Sequence, residues 1–142
     1  MKFSTRSKYG LNAMFELGLR YGEGPVSIKD ISESQQIPEA YLEQLFIPLK
    51  KAGLIVAARG AQGGYSLNSE PKDISVGQLI RTLEGPIAPT DCLEEDGCCE
   101  RDSVCPGKLI WEKIYKSMND VIDSLTLADI LEEYTLRNKG EK

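Results

Sequence analysis

All four cysteines of this 142-residue chain lie within residues 91–107. This acidic stretch has neither helical nor strand periodicity, so it predicts a loop that separates the preceding elements from a long helix. Four thiols in one loop indicate a metal or redox site, and the candidate cofactor ligands are Cys92, Cys98, Cys99 and Cys105. A disulfide framework fits less well, because the rest of the chain can build a core without one.

The charge of the chain is unevenly distributed. The net charge is −5, but residues 1–70 contain eight Lys/Arg and seven Asp/Glu, whereas residues 71–142 contain nine and fifteen. A basic, DNA-binding surface on the first half is therefore compatible with an acidic protein. The sequence has no apolar run of membrane-spanning length and no apolar signal-peptide core. We therefore expect a cytoplasmic protein with no membrane partner.

The first half of the chain predicts three helices and a β-hairpin. Apolar periodicity predicts helices over residues 4–21, residues 28–36 and residues 39–52. Two short helices joined by a tight turn are typical of a helix-turn-helix, here over about residues 28–51, although generic packed helices give a similar pattern. The hairpin over residues 54–67 follows directly, as a wing would. The predicted fold is therefore mostly α with a small β-hairpin wing, a winged helix-turn-helix domain over residues 1–85.

The predicted DNA-binding residues fall in three places: the start of the first helix, the start of the third helix and the hairpin tip. Cations at a helix N-terminus oppose the helix dipole, and a phosphate partner would relieve that cost, although solvated surface charges explain them equally well. The first turn of a recognition helix reads bases, and an arginine at a wing tip can enter a minor groove. The candidates are Lys2, Arg6, Lys8, Ala40, Tyr41, Glu43, Gln44 and Arg59.

Residues 86–107 are predicted to form a connector and the cysteine loop, and residues 108–142 a dimerisation helix with a frayed tail from Arg137. Apolar residues recur along this long helix at Ile110, Ile114, Met118 and Val121. A face this wide is more than a small winged domain can cover, so the pattern favours a homodimer over an internal core helix.

Four motifs together resemble the family of the iron–sulfur cluster regulator IscR, which also includes NsrR and CymR. They are Ser-Lys-Tyr-Gly at residues 7–10, Tyr-Leu-Glu-Gln-Leu at residues 41–45, Arg-Gly-Ala-Gln-Gly-Gly-Tyr at residues 59–65, and the cysteine loop. The resemblance implies a dimeric winged helix-turn-helix repressor that binds double-stranded DNA. It also implies that a labile cluster senses iron–sulfur status, or redox or nitrosative stress, and controls cluster-biogenesis genes.

The resemblance further implies a cluster held by three cysteines between the winged domain and the dimerisation helix. It assigns Cys92, Cys99 and Cys105 as ligands, with Cys98 as the alternative to Cys99. It favours a [2Fe–2S] cluster over a [4Fe–4S] cluster.

Two departures from the family pattern leave the fourth ligand open. The IscR pattern has a histidine three residues after the last cysteine, where this chain has Lys108 and no histidine anywhere. The NsrR pattern has an aspartate near the N-terminus, where this chain has Lys8. Cys98, Glu43, a loop carboxylate, a small thiol or water could serve instead. The missing imidazole also weakens the preference for a two-iron cluster.

Three other functions remain as alternatives. Zinc sites usually present cysteine pairs spaced by two to four residues, and adjacent Cys98 and Cys99 cannot easily both reach one tetrahedral ion. A disulfide between Cys92 and another loop cysteine would make a thiol redox switch without a cluster. An enzyme with a small-molecule substrate is disfavoured, since the chain has no histidine, no phosphate-binding glycine motif and no nucleophile paired with a base.

Overall fold

The computed structural model describes residues 2–90, Leu93 and residues 104–140. Within those residues the fold consists of six α-helices, one antiparallel pair of strands and a 3-10 turn. The helices are α1 (Thr5–Leu19), α2 (Ile28–Gln35), α3 (Glu39–Lys51), α4 (Val76–Glu84), α5 (Pro106–Ser124) and α6 (Leu127–Gly140). The strands are β1 (Ile55–Ala58) and β2 (Gly64–Leu67), and the 3-10 turn is Pro71–Asp73.

Serine residues start three of these helices. The side chains of Ser4, Ser27 and Ser75 each accept a hydrogen bond from the backbone N–H three residues later, which satisfies an otherwise unpaired donor. Helix α2 ends at Gln35, and the left-handed backbone of the C-cap residue Gln36 (φ 55°) turns the chain into α3. The two helices predicted as a helix-turn-helix therefore follow each other with a tight connection.

One hydrophobic core holds the helix-turn-helix, the hairpin and α4 together. Fully buried side chains come from α1, α3 and α4, with Met14, Phe46 and Leu79 as examples. Glu16 of α1 is also buried, and its carboxylate accepts hydrogen bonds at 3.0 Å from Arg20, Ser34 and Gln35. Because Ser34 and Gln35 belong to the last turn of α2, these bonds fix the helix-turn-helix on α1.

The hairpin is joined to the helical domain by backbone pairing. Its register runs from Ile55 opposite Leu67 to Ala58 opposite Gly64. Beyond the hairpin, Val26 and Tyr65 exchange two backbone hydrogen bonds of 2.8 Å. This arrangement confirms the predicted mostly α fold with a hairpin wing.

Helix α5 packs on α4 through polar contacts. The guanidinium of Arg81 binds both carboxylate oxygens of Asp123, at 2.6 and 3.0 Å, and also binds the amide oxygen of Asn119. The hydrogen bonds from Arg81 to Asp123 lower the pKa of that carboxyl below its ordinary value. None of the helices in the described part of the chain is long and apolar enough to cross a membrane.

Helix α6 returns to the winged domain. Thr126 and Asp129 cap its start reciprocally, each accepting the other's backbone N–H. Leu127 is buried in the core beside α1. The prediction of a frayed tail from Arg137 is wrong as far as Gly140, because the capped helix continues to that residue. The division of the chain into a winged domain, a cysteine loop and a dimerisation segment, with boundaries at residues 85 and 107, stays a prediction.

Candidate nucleic-acid interface

Helix α3 has one buried and one exposed face. At about 100° per residue, Leu42, Leu45, Phe46 and Leu49 cluster on the side that packs into the core. The opposite side is exposed and consists of Ala40, Glu43, Gln44, Ile47, Lys50 and Lys51. Three of the four residues predicted to read bases on this helix therefore lie free of the core. The fourth, Tyr41, is half-buried at the edge of that face.

The start of α1 lies beside the start of α3. The rings of Tyr9 and Tyr41 meet edge to face, with centroids 5.6 Å apart. Gly10 allows α1 to approach α4 closely, because a Cβ there would lie 2.4 Å from the Leu83 side chain. The exposed side chain of Lys8 precedes this contact. The structure thus brings the start of α1, with Lys8, next to the predicted recognition helix.

A carboxylate from α4 fixes the N-terminus of α1. The Ser4 backbone N–H donates to both carboxylate oxygens of Glu84, at 3.2 and 3.1 Å, and the Ser4 hydroxyl donates to one of them at 2.7 Å. The buried Ser7 hydroxyl donates to the same carboxylate. Hydrogen bonds from Ser7 and then Ser4 hold the pKa of Glu84 below its ordinary value, with a smaller contribution from the Arg6 charge.

The glycines of the wing have separate structural roles. Gly60 adopts φ +103° at the hairpin tip. A Cβ on Gly63 would lie 2.3 Å from the carbonyl oxygen of Ala58, and a Cβ on Gly64 would lie 2.2 Å from that of Val26. The glycines of residues 59–65 therefore close the hairpin and let it pack against the domain. Arg59 stays exposed beside the tip.

Several cations of this surface are available to phosphates. Lys2, Lys8 and Arg59 are exposed and form no ion pair within residues 2–90, Leu93 and residues 104–140. A surface cation without an ion-pair partner contributes its full electrostatic attraction when a phosphate approaches it. Arg6 lies close enough to Glu84 to lower its pKa.

Two residues of this surface were not predicted from the sequence. Ile47 is 67% exposed on the same face of α3 as Gln44. The sequence does contain a signal for it, because Ile47 is an apolar residue that falls outside the 3.6-residue repeat of the buried positions. Glu84 is the other residue. The only local hint was that Ser4 and Ser7 form a cap without the glutamate that usually completes it.

Only the last cysteine of the loop lies in the described part of the chain. Cys105 is the half-buried N-cap residue of α5, and Cys92, Cys98 and Cys99 fall outside the described residues. The positive end of a helix favours an anionic sulfur ligand, so this position suits a cluster or metal ligand. Lys108, at the histidine position of the IscR pattern, pairs with Glu112 at 3.9 Å.

A helix-turn-helix followed by a hairpin, with an exposed face on its second helix, defines the winged helix-turn-helix class of regulator. Residues 3–133 match the family model Rrf2, described as "Iron-dependent Transcriptional regulator". This chain belongs to the Rrf2 family of transcriptional regulators. The predicted relation to IscR and CymR is confirmed, because regulators of both names are among its relatives.

The relatives support this assignment over most of their length. The transcriptional regulator CymR of Bacillus subtilis is 46% identical over 130 residues, which cover 92% of this chain and 89% of the relative. A solved structure of CymR, called the global cysteine regulator of B. subtilis, has a TM-score of 0.80 at 44% identity and covers 94% of this chain and 98% of its own. The T. potens IscR structure has a TM-score of 0.77 at 48% identity, covering 94% and 88%. These proteins are named as regulators, not enzymes.

Proposed function

We propose that this chain regulates transcription by binding duplex DNA with α3, the start of α1 and the wing. The observation that carries the proposal is the exposed face of α3, which leaves Glu43, Gln44 and Ile47 free of the core. Gln44 can pair with adenine, Glu43 can accept a hydrogen bond from cytosine, and Ile47 can contact a thymine methyl group. Arg59 would enter the minor groove.

The DNA proposal is tested by selecting binding sites from a random duplex pool with the purified protein. We expect Gln44→Ala to relax the preference at one base position and Ile47→Ala at a neighbouring one. Glu132→Ala, on the exposed surface of α6, is the matched control and should leave the selected sequence unchanged. Identical site preferences in the wild type and both α3 variants would remove α3 as the reading helix.

We propose that α5 pairs with α5 of a second copy. None of its residues is buried, and Ile110, Trp111, Ile114 and Val121 are at least 39% exposed. These side chains share one side of the helix, whereas Asp123, which binds Arg81, points elsewhere. An apolar stripe of this kind is expected to be covered by another helix, and a two-fold dimer covers both stripes at once.

The dimer is tested by sedimentation velocity at several protein concentrations. We expect Ile114→Asp to give a folded monomer, because it places a charge in the middle of the apolar stripe. Lys113→Asp introduces the same carboxylate beside the stripe and should remain dimeric. A dimeric Ile114→Asp variant would contradict pairing through this face.

We further propose that the cysteine loop holds an iron–sulfur cluster with Cys92, Cys105 and one of Cys98 and Cys99 as ligands. The support comes from four thiols within residues 91–107, the position of Cys105 at the start of α5, and a family described as iron-dependent. When bound, the cluster would supply a redox- and iron-sensitive group between the winged domain and the dimer helix. A second candidate is a regulator that uses these thiols as a redox switch without a cluster. The likeness to CymR, called the global cysteine regulator, supports a signal other than iron.

Anaerobic purification followed by iron and sulfide analysis and Mössbauer spectroscopy separates the two candidates. A coloured protein with equal iron and sulfide supports the cluster, and Mössbauer parameters distinguish two-iron from four-iron forms. We expect Cys105→Ala to lose the iron while the dimer persists, since the dimer rests on α5. Colourless wild-type protein without iron would favour the thiol regulator, and bound zinc would reject both.

A further inference from the structure

Helix α1 starts with an incomplete cap. In the usual capping box, the serine or threonine at the N-cap is followed three residues later by a glutamate, whose side chain accepts the N-cap backbone N–H. Here Ser4 is the N-cap residue and Ser7 occupies the glutamate position. Ser7 cannot supply the missing carboxylate, so the Ser4 N–H needs an acceptor from elsewhere.

Glu84 supplies that acceptor from 80 residues away. Its carboxylate accepts the Ser4 N–H and the hydroxyls of Ser4 and Ser7, and thereby completes the box between two helices. The first turn of α1 contains no acidic residue of its own. Glu84 is therefore the negative charge that balances the positive end of this helix.

An apolar groove borders the same segment. Phe3 lines a cavity of about 330 Å³ together with Ile87 of the connector and Met118 and Ile122 of α5. Ile87 is only 4% exposed, so the connector that leads into the cysteine loop is itself anchored here. The residues between the exposed cations Lys2 and Lys8 are thus held on α4 by the Glu84 carboxylate and border this groove.

We propose that Glu84 is a positioning residue for DNA binding, which holds the basic start of α1 in the conformation that meets phosphates. The inference rests on the proposed function and deepens it. Glu84 acts through Ser4 and Ser7 and has no contact with DNA itself. Without Glu84, the Ser4 backbone N–H and the hydroxyls of Ser4 and Ser7 lose their acceptor. The basic start of α1 is then less ordered, and ordering it on DNA costs part of the binding free energy.

The direction in which DNA affinity changes when Glu84 is removed distinguishes a positioning role from a purely electrostatic one. Removing a carboxylate raises the net charge by one unit and by electrostatics alone should strengthen binding to DNA. Loss of a positioned phosphate contact has the opposite effect. Affinity varies with about the −0.9 power of salt concentration per contact, so each lost contact weakens binding about eightfold at 0.1 M salt.

The experiment measures the affinity of the dimer for a selected duplex by fluorescence anisotropy between 0.05 and about 0.3 M salt, a range in which phosphate contacts dominate. Glu84→Ala should reduce the slope of log K against log salt by about two for the dimer, one per half-site, and should therefore bind about sixtyfold more weakly at 0.1 M salt. Ser7→Ala keeps the carboxylate and should shift both quantities in the same direction by less. Far-UV circular dichroism establishes that each variant is folded at the assay temperature.

Two controls complete the test. Glu132→Ala makes the same charge change on α6 and should bind at least as tightly as the wild type, with an unchanged slope. Arg81→Gln loosens α4 against α5 without touching the α1 cap, and it should lower stability but not the slope.

The inference is overturned if folded Glu84→Ala binds as tightly as the wild type with an unchanged slope. It is also overturned if Arg81→Gln reduces the slope equally, because general loosening of α4 would then explain both. Failure of the wild type to bind any duplex would instead overturn the proposed function.

Discussion

Replacing Gly64 with alanine should detach the wing from the domain. A Cβ at this position would lie 2.2 Å from the carbonyl oxygen of Val26, far inside any real contact. The strand must therefore move away, which breaks the two 2.8 Å backbone hydrogen bonds between Val26 and Tyr65. It also disturbs the packing of Tyr65 on Phe46, whose ring centroids are 4.6 Å apart.

The cost can be estimated from these contacts. Two backbone hydrogen bonds contribute about 1 kcal/mol each, and leaving a partly buried partner unsatisfied adds about 1–3 kcal/mol. We therefore expect Gly64→Ala to lower the free energy of unfolding by about 3–5 kcal/mol. Gly60→Ala, in the same hairpin, is the matched control: it introduces left-handed strain of about 1–2 kcal/mol but meets open space.

Urea denaturation followed by far-UV circular dichroism measures both variants, with the slope m checked for two-state behaviour. Affinity for the selected duplex should fall more in Gly64→Ala than in Gly60→Ala. The first change breaks the attachment of the wing to the domain, whereas the second changes only the conformation of its tip. Equal unfolding costs in the two variants would refute the reasoning, since the clash with Val26 is what distinguishes them.

Three further predictions concern α6, the Glu84 cap and the wing tip. Leu127→Ala should lower the free energy of unfolding of the whole domain by about 2–5 kcal/mol in urea denaturation, because this side chain fills the core. The stability that Glu84 adds relative to Glu84→Gln should be constant at neutral pH and disappear as pH falls below 4.5, because a lowered folded pKa means that the unfolded chain takes up the proton first. Arg59→Ala should weaken DNA binding by about 1–3 kcal/mol in anisotropy titrations and relax discrimination for a narrow minor groove.

Each of these has a contrary result. A Leu127→Ala variant as stable as the wild type would place α6 outside the cooperative unit. A difference between wild type and Glu84→Gln that grows as pH falls would mean that the carboxylate is not an acceptor in the folded state. Unchanged affinity and sequence preference in Arg59→Ala would exclude the wing tip from the interface.

The sequence was sufficient for elements whose signals are local. Ser27 and Ser75 mark their helices by short-range capping, and the glycines of residues 59–65 mark the hairpin by the backbone angles they allow. The buried positions of α3 follow from its 3.6-residue period, which also exposes the predicted base-reading residues.

Other features depend on contacts between distant residues and could not be read locally. Glu84 looks like an ordinary surface glutamate at the end of α4 until the start of α1 is placed beside it. Leu127 opens a helix that seemed to belong to a dimerisation segment, yet its side chain enters the winged domain. The cluster ligands stay predictions, because spacing alone does not decide between Cys98 and Cys99.

The packing of the last helix on the first has a consequence for synthesis of the protein. Gly18 of α1 lies so close to α6 that an added Cβ would be 2.9 Å from the Leu131 side chain, and Phe15 meets Tyr134 with centroids 4.7 Å apart. A ribosome adding roughly 5–20 residues per second needs several seconds to proceed from the end of α4 to α6. During that interval the part of α1 around Phe15 and Gly18 lacks the cover that α6 later provides. A nascent regulator of this fold is therefore open to chaperones, or to pairing with another emerging copy, until α6 is made.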